Sequence, residues 1–158
     1  MINLFAAVML IILLDQFSKY ACKLFLVSGT SIPVLKGIFH LTLVYNKGSA
    51  FGFFQSGTPI LIFISFLCIF VIVLLLRRNV FLGRFLGIDL NHRAIRFSLG
   101  LILGGAFGNL IDRLRYGYVV DFLDFRIWPV FNLADSAITI GGIIIFFNIL
   151  RQERKDGL

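Results

Sequence analysis

Five of the chain's eight acidic residues, Asp15, Asp112, Asp121, Asp124 and Asp135, stand in or beside strongly apolar sequence, and four of them fall within the stretch 104–135. An ionised carboxylate in such surroundings costs several kcal/mol unless it is paired or hydrated, so a chain that keeps them there uses them. Two aspartates held close together share one proton, because repulsion and desolvation raise one pKa while the other stays low. The ionised member takes a proton from water and the protonated member polarises a carbonyl. That is acid-pair peptide hydrolysis, and it needs no metal and no cofactor.

Other chemistries fit less well. His40 and His92 lie far apart, so zinc-ligand spacing is absent. Cys22 and Cys68 sit in or beside apolar segments and read as small buried hydrophobes. A two-carboxylate glycosidase would need an extended sugar-binding region, which the chain lacks. Oxygen-ligand metal binding is disfavoured by Lys19 and Arg113 nearby.

Among the aspartates, Asp135 and Asp121 are the pair to choose. Asp135 lies on a stripe of Asn132, Asp135, Thr139 and Gly142, spaced by three and four along one helix face. A polar stripe facing lipid is costly, so it is predicted to face the bundle interior. Asp121 follows Val119-Val120 in the segment that returns the chain to that helix. Asp112, beside Arg113 and three residues after Asn109, reads as ordering the end of the preceding helix. Asp124, two residues from Arg126, reads as an exposed or solvated pair.

The elements that must position these groups are membrane spans. The 158 residues are 59% hydrophobic, with nineteen phenylalanines and a mean hydropathy of +0.96. Soluble domains sit nearer 45–50% apolar. The net charge of +7 gathers beside apolar runs, the pattern of topology signals and anionic lipid and not of nucleic acid. Mainly α, with four transmembrane helices at about 2–22, 59–76, 95–113 and 131–150, the chain reads as a single integral-membrane domain over 1–158. The run from Met1 to Leu14 reaches only about 21 Å as a helix, so the first span must continue through Asp15 and Lys19, which can pair at i, i+4. Gly100, Gly104 and Gly108 recur every fourth residue and read as a helix-packing face. Between the first two spans, Pro33, Lys36-Gly37 and the alternation from Phe39 to Asn46 predict a small β-hairpin. A glycine-spaced aromatic segment through Phe51, Phe53 and Phe54 follows, suited to the interface plane.

Four spans place both termini on one side, and the arginine-rich 77–96 loop and tail assign that side to the cytoplasm. Asp15 and Lys19, then Asn109, Asp112 and Arg113, then Asn132 and Asp135, and the connector residue Asp121, all converge at the outer face. A transporter or proton conductor would also carry buried carboxylates, but inverted repeats and broken helices are absent and the polar groups do not cross the bilayer. A structural subunit whose Asp–Arg pairs merely join helices is the third possibility. It would tolerate swapped charges.

Five blocks of residues then carry a resemblance: Asp15-Gln16-Phe17-Ser18-Lys19; Asn46-Lys47-Gly48-Ser49-Ala50-Phe51; Gly105 to Arg113; Val119-Val120-Asp121-Phe122; and Phe131-Asn132-Leu133-Ala134-Asp135. In this order, across nearly the whole length, the chain resembles the signal peptidase II family of bacterial membranes. The resemblance implies an aspartic endopeptidase that removes the signal peptide from prolipoproteins, cutting before a cysteine that carries diacylglycerol. It implies Asp121 and Asp135 as the catalytic dyad. Asn109, Arg113 and Asn132 would hold substrate backbone and dyad geometry, and Asp15 would support the site from the first span. Lys19, Asn46, Gly48, Asp112 and Ala134, from the same blocks, complete the supporting set, while hairpin and aromatic segment would cradle the substrate. The implied partners are the lipid-modified prolipoprotein and membrane lipid, with no nucleic acid, for a monomer in the bacterial cell membrane.

Overall fold

The computed structural model describes residues 2–48, 58–77, 90 and 92–156. Its elements in chain order are α1 (Ile2–Phe25), β1 (Ser31–Leu35), β2 (Phe39–Asn46), α2 (Thr58–Arg77), α3 (Arg93–Tyr116), β3 (Val119–Asp124) and α4 (Leu133–Asp156). The four helices are each long and apolar enough to cross a membrane. The aromatic segment through Phe51, Phe53 and Phe54 and most of the arginine-rich 77–96 loop lie outside the described residues.

One helix is the hub. In α3, 67% of the most apolar window is buried, against 11–17% in the other three, so α3 is the central helix and α1, α2 and α4 face lipid. Its composition explains this. Gly100 abuts Leu4 and Ala7, Gly104 abuts Val8 and Ile11, and Gly108 abuts Asp15, so the predicted glycine stripe lies against α1. In lipid, apolar burial gives little drive for association, and close backbone approach at small residues supplies it instead. Ile95, Leu99, Leu103 and Leu110 of α3 pack with Ile69 and Ile72 of α2 in the main apolar cluster.

The fourth helix seats differently from the expectation. Asn132 is buried, but Thr139 and Gly142 of the predicted stripe are exposed. The buried face of α4 is instead Ala134, Ala137 and Gly141. Gly141 meets Ser98 and Ile102 of α3, and Gly105 of α3 meets Ala134 and Ile138. Small residues on both helices let the backbones touch, and the polar stripe is left beside that seam.

At one end of the bundle the predicted hairpin gains a third strand. The sheet is antiparallel in the order β1-β2-β3. α3 ends at Gly117, whose φ of 75° is the left-handed conformation and whose N–H donates to the Arg113 carbonyl. That reversal brings β3 alongside β2, Val44 opposite Asp121 and Asn46 opposite Val119. A bulge between Leu41 and Val44 shifts the register within this pairing. Leu43 and Val120 pack with Leu26 at the end of α1, fixing the sheet to the bundle. Phe131 then exchanges backbone hydrogen bonds with Leu123, so the 125–130 loop closes on β3 and delivers the start of α4 beside it.

Candidate active site

Asp135 is fixed by the way its helix begins. Asn132 is the N-cap of α4: its Oδ1 accepts from the Asp135 N–H at 2.9 Å, and its own N–H donates to Asp135 Oδ2 at 3.3 Å. This is a reciprocal capping box with aspartate as the third helical residue. Asn109 Nδ2, from α3, donates to the other Asp135 oxygen at 2.8 Å.

Asp121 is fixed by the sheet. Asn46 Nδ2, on β2, donates to its Oδ2 at 2.9 Å, and Asn132 Nδ2 donates to its Oδ1 at 2.6 Å. One asparagine therefore touches both carboxylates, donating to Asp121 from its side chain and bracketing Asp135 with its cap. Because Asn132 Oδ1 is occupied by the cap, its amide has only one orientation available, with nitrogen toward Asp121.

A buried ion cluster lies behind this pair. Lys19 is 2% exposed and Asp15 0%, and the ammonium sits 2.8 Å from Asp15 Oδ2 and 3.0 Å from Asp112 Oδ2. Its third donor goes to Asn109 Oδ1 at 3.0 Å. That contact orients the Asn109 amide as well, turning Nδ2 toward Asp135. The remaining oxygens are satisfied: Asp15 Oδ1 accepts from the Ala134 N–H and Asp112 Oδ1 from Gln16 Nε2, while the Val120 N–H adds a second donor to Asp112 Oδ2. Asp112 thus ties the end of α3 to β3, as its place beside the helix end suggested. Gly108 makes the arrangement sterically feasible, since a Cβ there would stand 2.6 Å from Asp15 Oδ2.

Asp121 and Asp135 line one cavity of about 220 Å³ together with Asn46, Gly48, Asn109 and Arg113, closed by Val119, Pro129, Val130, Phe131, Ile138 and Thr139. Exposed Thr139 is thus a wall of this cavity and not a core residue. Burial first, and the neighbouring Asp135 second, push the Asp121 carboxyl up to about 7, against the donors Asn46 and Asn132 and the positive charge of Lys19. Gly48 donates its N–H to Asn46 Oδ1 at 2.9 Å, which orients that amide toward Asp121.

These are the features of an acid pair able to share a proton: one cavity, one bridging amide, and one carboxyl raised toward neutrality. A sequence model described as signal peptidase (SPase) II matches residues 7–151. The chain belongs to the signal peptidase II family. A lipoprotein signal peptidase of Moorella thermoacetica is 44% identical over 149 residues, covering 94% of this chain and 93% of that one. One from Halothermothrix orenii is 41% identical over 150 residues, covering 95% and 97%. A solved structure described as a bacterial membrane enzyme, determined by the in meso method at 2.3 Å, superposes with a TM-score of 0.81 at 26% identity, covering 95% of this chain and 88% of that one. The chain is accordingly a membrane aspartic protease of that family, with four helices long and apolar enough to span the membrane.

Of the residues singled out from sequence, Asp15, Lys19, Asn46, Gly48, Asn109, Asp112, Arg113, Asp121, Asn132, Ala134 and Asp135 all come to this end of the bundle. Asp124 differs from its reading. It does pair with Arg126, at 3.0 Å, but its carboxylate is buried, accepting also from Thr42 on β2 at 2.7 Å. Only the strand register reveals that neighbour. Gln16, which stands in the first of the resembling blocks, belongs to the site as well: its Nε2 donates to Asp112 Oδ1 at 3.0 Å and to the Gly108 carbonyl at 3.2 Å. Its position next to Asp15 and three residues before Lys19 was the available signal.

Proposed function

We propose that this chain removes the signal peptide from prolipoproteins, cutting just before a cysteine that carries diacylglycerol, and that Asp121 and Asp135 are its catalytic dyad. The observation that carries the reading is the shared cavity in which Asn132 touches both carboxylates. Asp121 holds the shared proton and hydrogen-bonds the scissile carbonyl oxygen. Asp135 accepts a proton from water as the water oxygen bonds to the carbonyl carbon and Asp121 passes its proton to the carbonyl oxygen. When the tetrahedral intermediate collapses, the C–N bond breaks, the proton on Asp135 passes to the leaving amine, and Asp121 recovers its own. Arg113, on the cavity wall, is suited to hold substrate backbone, as are Asn109 and Gly48. Asp15, Lys19, Asp112 and Ala134 position that wall from behind.

The same reading makes the enzyme a monomer with cytoplasmic termini and its cavity at the outer membrane surface. The membrane keeps the substrate's acyl chains while the cysteine's peptide bond enters the cavity. The relatives' name, lipoprotein signal peptidase, supports the substrate class.

The test is cleavage of a purified lipidated prolipoprotein and its unlipidated form. The lipidated substrate should be cut before the cysteine and the unlipidated one spared. Asp121→Asn and Asp135→Asn should each lower cleavage by orders of magnitude in folded protein, and the double variant should be little worse than either, because paired groups act as a unit. Substantial turnover by either folded single variant would show that the dyad is wrongly chosen.

A further inference from the structure

A second cavity, of about 400 Å³, opens between the last turns of α1 and α3, on the far side of the Lys19–Asp112 pair from the dyad. Buried Lys19 and Asp112 form its inner wall, and Tyr20, Lys23, Arg115 and Tyr116 form its rim. The Lys23 ammonium stands 4.1 Å from the centre of the Tyr116 ring and the Arg115 guanidinium 5.4 Å from it. Among the described residues neither cation has a carboxylate within ion-pair distance. Asp112 does not compensate them, since its oxygens are taken by Lys19, Gln16 and the Val120 N–H.

Each basic residue lies in the final turn of its helix, where a cation complements the helix dipole. That accounts for the charges but not for the space between them. The tyrosine platform is fixed independently: Tyr116 stacks on Tyr118, which packs on Tyr45. Two cations are thus held at the edge of a rigid aromatic wall, facing a cavity that contains no anion of their own.

Depth identifies the ligand class. The cavity lies at the ends of two membrane-spanning segments, Leu4–Phe25 and Arg93–Tyr116, which is the level of lipid headgroups and of interfacial tyrosines. Phe17 and Leu13, one and two turns down α1 from Tyr20, are both exposed on that side and continue the groove with apolar surface. We propose that this cavity seats the phosphodiester headgroup of an anionic phospholipid, with Lys23 and Arg115 on the phosphate and the acyl chains along Phe17 and Leu13. The ligand is distinct from the substrate of the proposed reaction, whose diacylglyceryl group carries no phosphate. Only the choice of leaflet depends on the proposed orientation.

Native mass spectrometry of the full chain in detergent, offered equal amounts of phosphatidylglycerol and phosphatidylcholine, tests this. Wild-type protein should retain phosphatidylglycerol with about thirty-fold preference, the scale of two cations near a headgroup. The Lys23→Gln/Arg115→Gln variant should lose that preference. Lys23→Arg/Arg115→Lys should keep it, as should Lys36→Gln on the exposed β1–β2 turn. Equal retention of both lipids by wild type would overturn the proposal, as would a loss in Lys36→Gln matching that of the double variant. Displacement of the lipid by excess inorganic phosphate would assign the cavity to a free anion and overturn it too. The wild-type comparison and the phosphate competition decide the matter even if the glutamine variant does not fold.

Discussion

At the scale of single residues, the site works by giving similar carboxyl groups different neighbours. Asp121 is buried in the strand between two amide donors, while Asp135 sits in a helix cap. The raised Asp121 has a consequence for stability as well as for rate. In the unfolded chain it ionises near 3.8, and in the folded protein near 7. Across that interval the unfolded state releases a proton that the folded state keeps. The stabilisation is therefore full below about pH 4 and is lost as pH rises through about 7, an effect of roughly 4 kcal/mol at most. Thermal melting in detergent should show wild-type stability falling over this window and a shallower fall in Asp121→Asn, with an equal slope in the two proteins speaking against a raised Asp121. Cleavage should decline on the alkaline side near the same value, as a property of the coupled pair. Much of this was legible in the sequence, because carboxylates in apolar surroundings are conspicuous. The Asn132–Asp135 spacing also encodes the capping box. Thr42 was not legible, because a neutral polar residue shows its role only through its partner across space, and Gln16 had only its place beside Asp15 to mark it.

At the scale of elements, glycine decides which helices meet. The series Gly100, Gly104 and Gly108 shows one packing face, and that face meets α1. Gly105 escaped because it stands one residue off the series, about 100° around the helix, where it serves α4 instead. A Cβ at Gly105 would overlap the Ala134 carbonyl oxygen and stand 2.8 Å from Ile138 Cγ1, whereas one at Gly142 meets nothing within 4 Å. Gly105→Ala should therefore destabilise by about 1–3 kcal/mol through overpacking and lower activity by moving Asn132 and Asp135 relative to α3. Gly142→Ala should be neutral or stabilise by up to about 1 kcal/mol through helix propensity. Melting both variants checks the contrast, and similar losses in the two would refute the assigned faces. The third strand was missed for a related reason. Val119 to Asp124 is buried on both faces except at Leu123, so its sequence lacks the alternation that marked Phe39 to Asn46.

At the scale of the whole molecule, the question is which way the bundle sits. The sheet, the dyad and the ion cluster share one end, with Lys23, Lys36, Arg115 and Arg126 among them. The other end carries Arg77, Arg93 and Arg96 and the last turns of α4 with Arg151, Arg154 and Lys155, and in the sequence Arg78 and Arg84 stand between Arg77 and Arg93. Basic residues in short loops favour the cytoplasm, so the site end should face outward. The comparison is not lopsided, yet two of the site-end cations are less effective signals than their number implies. Arg126 is paired with Asp124, and Lys23 lies over Tyr116 within the last turn of a span. Single cysteines test the orientation after Cys22→Ala and Cys68→Ala remove the native thiols. Lys36→Cys, on the exposed turn between β1 and β2, should react with a membrane-impermeant maleimide added to intact cells. Arg93→Cys, at the start of α3, should react only after the membrane is opened. The reverse pattern would put the dyad on the cytoplasmic side and remove the basis for its meeting a prolipoprotein at the outer surface.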